Sequence, residues 1–256
     1  MPIAFDTVLS SMALFAAPFI RLSAMMAVAP VFSAQGFNVR TRSLFAITVA
    51  ALVAPSLPPS PVDSLLSGEG VLMAVREVGV GLILGFAIQL AFGAAVFAGQ
   101  AIAMTMGLGF AMAVDPQNGV QVPVLSQLYV ILATLLFLAL DGHLLLIAAV
   151  VESYQLMPVG VTGVPATSLS AVVALGTIVF AGGILLALPA LTALLLINIA
   201  FGIVTRTAPQ LNIFAVGFPV TILAGLLIMF MVMPGFISAL TELIGSSLER
   251  GMGALG

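Results

Sequence analysis

The sequence predicts an all-α membrane protein of long, kinked helical hairpins, and three observations predict it. First, of 256 residues, 62% are hydrophobic and 6% charged, and the mean hydropathy is +1.32; a soluble domain carries far more charge. Second, the apolar residues come in uncharged runs of span length or longer, not in short alternating strands. Third, small residues recur every four positions inside those runs, the spacing at which helices approach closely in an apolar medium. The same numbers exclude function classes. The absence of Cys removes disulfides and thiolate metal sites. The net charge is −3, and the basic residues are scattered single arginines (Arg21, Arg40, Arg42, Arg76, Arg206, Arg250), so no nucleic-acid partner is expected. Asp6 stands where a signal peptide carries positive charge, so the first apolar run is expected to be retained.

Residues 8–34 are apolar apart from Arg21 and contain Pro18 and Pro30; the run is long enough to span a bilayer. Arg21 is costly against lipid, so it is expected to reach an interface or to pair inside the bundle. A polar turn is expected at 35–43, around Arg40 and Arg42, followed by a short apolar run at 44–57 and the polyproline-like connector SLPPSP. Residues 63–77, with Asp63, Glu69, Arg76 and Glu77, read as a partly polar helix. From 78 to 114 no residue is charged. One straight helix of that length would reach about 55 Å at ~1.5 Å per residue, past a ~30 Å hydrocarbon core. The run is therefore expected to bend, break or bury itself in protein. Gly81, Gly85 and Gly93 fall on one four-residue ladder, and Gly99 on a second with Ala91, Ala95, Ala103 and Gly107. Packing within the chain is the first reading of these ladders, contact with a neighbouring subunit the second.

Residues 124–140 form a further span candidate, closed by Asp141-Gly142-His143, and 144–151 a shorter apolar segment. The Gly- and Pro-rich stretch 157–165 is the best boundary in the chain; it divides a part at 1–160 from a part at 161–256. The second part reads as a helical hairpin. Its first arm, 169–205, carries Pro189 as the expected kink; a turn at 206–212 leads to a return arm at 213–240 with Pro219 and Pro234. Glu242, Glu249 and Arg250 give it a polar tail. Asn198, Gly202 and Arg206 share one helix face and are expected to serve helix packing or assembly; Gly217, Thr221 and Gly225 share a face of the other arm. The positive-inside rule favours the Arg40/Arg42 and Arg206 turns as cytoplasmic, but so few charges do not settle the topology.

The stretch at 104–127 fits no ordinary element. Gly107, Gly109, Asp115, Pro116, Asn118, Gly119 and Pro123 break helices, yet they are interleaved with Met106, Leu108, Phe110, Met112 and Val114. A surface loop is polar and short. In a membrane protein, apolar irregular backbone is tolerated only where protein or a cavity surrounds it, which points to a pore or a plug. Asp115-Pro116 also suits an N-cap and a first helical residue. Enzymatic chemistry has little to stand on. A hydrolase needs a nucleophile beside its base, His143 is the only histidine, and no G-x-S-x-G elbow is present. Turn formation and helix capping account for Asp141 and His143. One His without Cys makes no metal site, and no phosphate-binding glycine pattern implies a cofactor. An ion or solute transporter is a better rival, but a broken segment in the first half has no counterpart in the second.

The segment MGLGFAMAVDPQNGVQVPVLSQ, Met106 to Gln127, resembles the signature of the FliR-like export-gate family of flagellar and virulence type III secretion systems. Arg21 with Pro30-Val31-Phe32, the Arg40-Thr41-Arg42 turn, Asp141-Gly142-His143 and RTAPQLNIFAVGFP from Arg206 to Pro219 agree with it, in the family's order. The resemblance covers essentially the whole chain. It implies a FliP-like part at 1–160 and a FliQ-like helical hairpin at 161–256, joined near 157–165. It implies a non-enzymatic component of the flagellar export gate, in the bacterial inner membrane within the basal body. FliP-like and FliQ-like chains are its expected hetero-oligomeric partners, an FlhB-like protein a further one, and unfolded export substrates its cargo. Assembled complexes of the family sit partly above the bilayer plane, which would account for runs that misfit a span. A loop is expected to plug the closed pore at about 106–122, through Met106, Gly107, Leu108, Gly109, Phe110, Met112, Asp115, Pro116 and Gly119. The alternative is a secondary transporter or channel for small solutes or ions.

Overall fold

The computed structural model describes residues 5–34, 36, 38–58, 62, 65, 67–108, 124–207 and 213–256, and the side chains of these except at 5–13 and 213–216. All regular structure among the described residues is helical. The first apolar run forms α1, Phe5–Val28, which carries Pro18 unbroken, and α2, Pro30–Ser33. Ala29 between them is extended, the conformation that a following proline imposes. Helix α3, Val39–Val53, starts earlier than the expected turn allows. The side chain of Asn38 accepts a hydrogen bond from the Arg40 N–H at 3.2 Å, an N-cap that draws Arg40 and Arg42 into the first helical turn. A 3-10 turn, Ala54–Ser56, closes this element.

Helix α4, Gly68–Thr105, is one helix of 38 residues, started by the Ser67 hydroxyl, which accepts from Gly70 N–H at 3.1 Å. Of the partly polar helix expected at 63–77, residues 68–77 are helical, and they continue without a break into the uncharged run. Arg76 and Glu77 are buried, so the change from charged to uncharged sequence is no change of environment and nothing there ends the helix. Beyond the loop come α5, Val124–Ala139, and α6, Gly142–Leu156. Asp141 joins them in the left-handed region at φ 53°, which Asp tolerates better than most residues. Its side chain makes no capping bond, contrary to the capping expected of it; its carbonyl instead accepts from Leu144 and Leu145 N–H. After 157–165 come α7, Ala166–Leu175, α8, Thr177–Thr207, and α9, Ile213–Gly253. The first arm of the hairpin is thus divided at Gly176, and the supposed polar tail continues α9 as helix.

Among the described residues, three helices are long and apolar enough to cross a membrane: α4, α7 with α8 as Ala166–Thr207, and Gly217–Gly253 of α9. A fourth is added if α5 and α6 count as one broken span. Of α4's apolar window 67% is buried, against 33% and 22% for the other two. Helix α4 is therefore an interior helix, and α8 and α9 offer apolar faces outward.

The chain forms two compact units, each drawing on both sides of residue 160: Met1–Leu90, Phe137–Gly176 and Gly245–Gly256 in the first, Ala91–Leu136 and Thr177–Ile244 in the second. In the first, α1 packs on α3 and lies against α4 at two glycines. A Cβ on Gly81 would fall on the Arg21 carbonyl oxygen, and one on Gly85 would stand 2.6 Å from that of Met25. Ala17, Val62 and Met73 are buried beneath Leu65, Val159 and Val161. In the second unit, α4 meets α5 so closely that a Cβ on Gly99 would stand 2.7 Å from Ser126 Cα. The Ser126 hydroxyl donates to the Val96 carbonyl at 3.1 Å. Tyr129 and Phe236 meet edge to face at 4.4 Å, joining α5 to α9.

Candidate functional site

Two constructions stand out from ordinary apolar packing. The first, in the first unit, is a buried charge cluster. Arg21 and Glu77 are wholly buried. Arg21 Nε donates to Glu77 Oε2 at 2.7 Å and Nη2 to Oε1 at 3.0 Å, a bidentate fork. Arg21 Nη1 donates to Ser153 Oγ at 2.8 Å and Nη2 also to the Met157 carbonyl at 2.9 Å. The Tyr154 ring lies 3.6 Å from the guanidinium carbon, and its hydroxyl donates to Glu77 Oε2 at 3.1 Å. Of the two ways for Arg21 to avoid lipid, the chain takes pairing. The cluster ties α1, α4, α6 and the start of the 157–165 linker to one point. Arg76, one position before Glu77, holds the same linker through Thr162 Oγ1 at 2.8 Å and Met157 Sδ at 3.4 Å.

The second construction, in the second unit, is the root of the loop. Gly107, at φ +84°, ends α4 in a Schellman arrangement. Leu108 N–H donates to the Ala103 carbonyl at 3.0 Å and Gly107 N–H to that of Met104 at 3.1 Å. A helix leaves its last four carbonyls without helical partners, and the Schellman bonds satisfy two of them. Side chains far along the chain take the other two. Asn198 Nδ2 on α8 donates to the Thr105 carbonyl at 3.2 Å, and Thr221 Oγ1 on α9 to the Met106 carbonyl at 3.1 Å. Met106 is wholly buried and fills the space over Gly225, where a Cβ would stand 2.6 Å from its Cε. The Phe218 ring covers Gly107, leaving no room for a Cβ. The long uncharged run thus breaks at a defined residue, and the break is sewn to both arms of the C-terminal hairpin.

Of the expected plug residues, Met106, Gly107 and Leu108 form this root; Gly109, Phe110, Met112, Asp115, Pro116 and Gly119 lie outside the described residues. Gly81, Gly85, Gly93 and Gly99 all face this chain's own helices, Gly93 against Val179. Asn198 reaches the loop root, whereas Arg206 is exposed and a Cβ on Gly202 would meet nothing within 4 Å. His143 is half-buried and its Nδ1 has no hydrogen-bond partner. Among the described residues no three His, Asp or Glu side chains gather as a metal site would need. Sequence reasoning missed Glu77, Ser153 and Tyr154 as partners of Arg21, and Phe218 and Thr221 as partners of the loop. Only Thr221 had left a trace, on the four-residue ladder with Gly217 and Gly225.

The sequence profile of a family described as bacterial export proteins, family 1, matches residues 12–247. The chain belongs to this export family. The flagellar biosynthetic protein FliR of Escherichia coli (strain K12) is 38% identical over 226 residues, 88% of this chain and 86% of that protein. FliR of Pectobacterium carotovorum subsp. carotovorum is 37% identical over 217 residues, 85% of this chain and 83% of that one. FliR of Bacillus subtilis (strain 168) is 30% identical over 226 residues, 84% of each chain. Membership in the FliR family thus rests on nearly the whole length, including the charge cluster and the loop root.

Proposed function

We propose that this chain is a non-enzymatic core component of the flagellar type III export gate, in the bacterial inner membrane. In this reading it assembles with FliP-like and FliQ-like membrane proteins, meets an FlhB-like protein, and passes unfolded export substrates through a pore that its loop at 106–122 closes. The part at 1–160 corresponds to a FliP-like chain and the hairpin at 161–256 to a FliQ-like one.

The observation that carries this reading is the loop root. The apolar, glycine-rich segment follows a helix end that side chains of two other helices fix, so it starts from a defined point. Hydrophobic side chains such as Met and Phe block water and ions by dewetting, and Met repacks around varied contacts. The outward apolar faces of α8 and α9 leave surface for partner helices, as the gate reading requires, although lipid would cover them equally well. Gly202, where a Cβ would meet nothing within 4 Å among the described residues, and the exposed Arg206 belong with that assembly face in this reading. Native mass spectrometry of the chain expressed with its FliP-like and FliQ-like neighbours tests the proposal. A defined hetero-oligomer with one copy of this chain is expected. A monomer or homodimer in the presence of those partners would reject the gate reading in favour of the transporter.

A further inference from the structure

We propose that the groove between α6 and the last turns of α9 seats one further helix: an apolar helix of a neighbouring membrane subunit that brings a lysine or arginine to Glu152 and Glu249. The inference rests on the gate reading, in which such neighbours exist, and adds one surface and the chemistry that fills it.

The groove lies within the first unit. It holds about 470 Å³ and is lined by Leu145, Glu152 and Leu156 of α6 and by Leu248, Glu249 and Met252 of α9. Along α6 the lining runs from 145 to 156, about 16 Å at ~1.5 Å per residue. A long channel between two helices suits the side chains of a third helix laid along it. Ala148, Ala149 and Gly253 also line it, and such small residues let a third backbone come close. Both walls are fixed from behind. Ser153 and Tyr154 are turned to the buried cluster around Arg21, which leaves Glu152 on the outer face of α6, where it is exposed. On α9, a Cβ at Gly251 would stand 2.7 Å from that of Ala87 on α4, and Ala254 and Leu255 are buried. The groove is thus formed before anything enters it, which lowers the ordering cost of binding.

Charge selects the occupant. Among the described residues neither Glu152 nor Glu249 takes part in an ion pair. Arg250 follows Glu249 in the sequence but does not line the groove. Two like charges on facing apolar walls repel each other, and a cation between them relieves that repulsion. A small hydrated cation would answer the carboxylates and leave the leucines and Met252 bare, whereas a lipid tail would do the reverse. A helix with apolar residues and a basic side chain answers both, since the methylenes of Lys or Arg lie along apolar surface while the head reaches the carboxylates.

The test uses the full chain co-expressed with the FliP-like, FliQ-like and FlhB-like proteins, with assembly read by native mass spectrometry. A photo-crosslinking amino acid at Leu145 leaves both carboxylates in place. It is expected to trap an apolar peptide with Lys or Arg within about one helical turn of the attachment point. Lipid adducts alone, or a peptide without a basic residue there, would overturn the proposal. Glu152→Lys with Glu249→Lys sets like charges against the incoming cation and is expected to lower the yield of hetero-oligomer by about ten-fold. The isolated double variant is expected to melt as the unchanged chain does, because both positions are exposed; if it unfolds instead, the cross-link decides alone. Changing the trapped basic residue to Glu is expected to restore the yield of the double variant. An undiminished yield from the double variant would reject the groove and leave the gate reading standing. If the unchanged chain forms no hetero-oligomer, the gate reading falls and the groove's occupant with it.

Discussion

Arg21 shows how one residue organises its surroundings. A guanidinium in an apolar bundle is tolerable only if its donors are used, and four of its contacts are hydrogen bonds to Glu77, Ser153 and the Met157 carbonyl. Removing one partner of a buried pair costs about 3–5 kcal/mol, because the remaining charge stays buried, whereas replacing both is often close to neutral. Glu77→Ala is therefore expected to lower the thermal stability of the purified chain strongly, and Arg21→Met with Glu77→Met to lower it less. Melting in detergent checks this; a double variant less stable than Glu77→Ala would show that the pair is a net source of stability. That Arg21 needed a partner was legible from its place in an apolar run. Which carboxylate it would take was not. Glu77 lies 56 positions away, and nothing local to either residue encodes the pairing.

At the scale of elements, α4 carries the architecture. Its glycines permit close packing where each is needed, and they differ in what a side chain would meet. Gly81→Ala would place a methyl group on the backbone of α1, an overpacking of the kind that costs about 1–3 kcal/mol. Gly202 on α8 has open space, and Ala there is expected to raise the stability of the isolated chain slightly, by about 0.5–1 kcal/mol, through helix propensity. Thermal melting of the two variants compares them directly; equal effects would contradict the packing described for Gly81. Gly202→Leu extends the comparison to assembly: the isolated chain is expected to melt as before while the yield of hetero-oligomer falls, and an unchanged yield would remove Gly202 from the assembly face. The helical ladders were readable because their period is local. Their partners were not: the same four-residue spacing faces α1 at Gly81, α8 at Gly93 and α5 at Gly99.

For the whole molecule, the unequal burial of its long helices is the main consequence. Phe230, Met231 and Leu223 on α9 are 79%, 70% and 68% exposed. In a monomeric transporter such a face would meet lipid; in the proposed gate much of it meets protein. A photo-crosslinking amino acid at Phe230 in the co-expressed complex is expected to trap a discrete protein adduct, and recovery of lipid adducts alone would count against that face as an interface.

The sequence by itself determined the membrane character, the helical class, most helix locations and the family, since composition and short-range periodicity are properties of neighbouring residues. Only the tertiary structure decided that Arg76 and Glu77 lie inside one continuous helix, that Arg21 pairs with Glu77, and that Asn198 and Thr221 hold the end of α4. Each of those facts depends on groups brought together from distant positions, where burial and unsatisfied hydrogen bonds select the partner and local pattern does not.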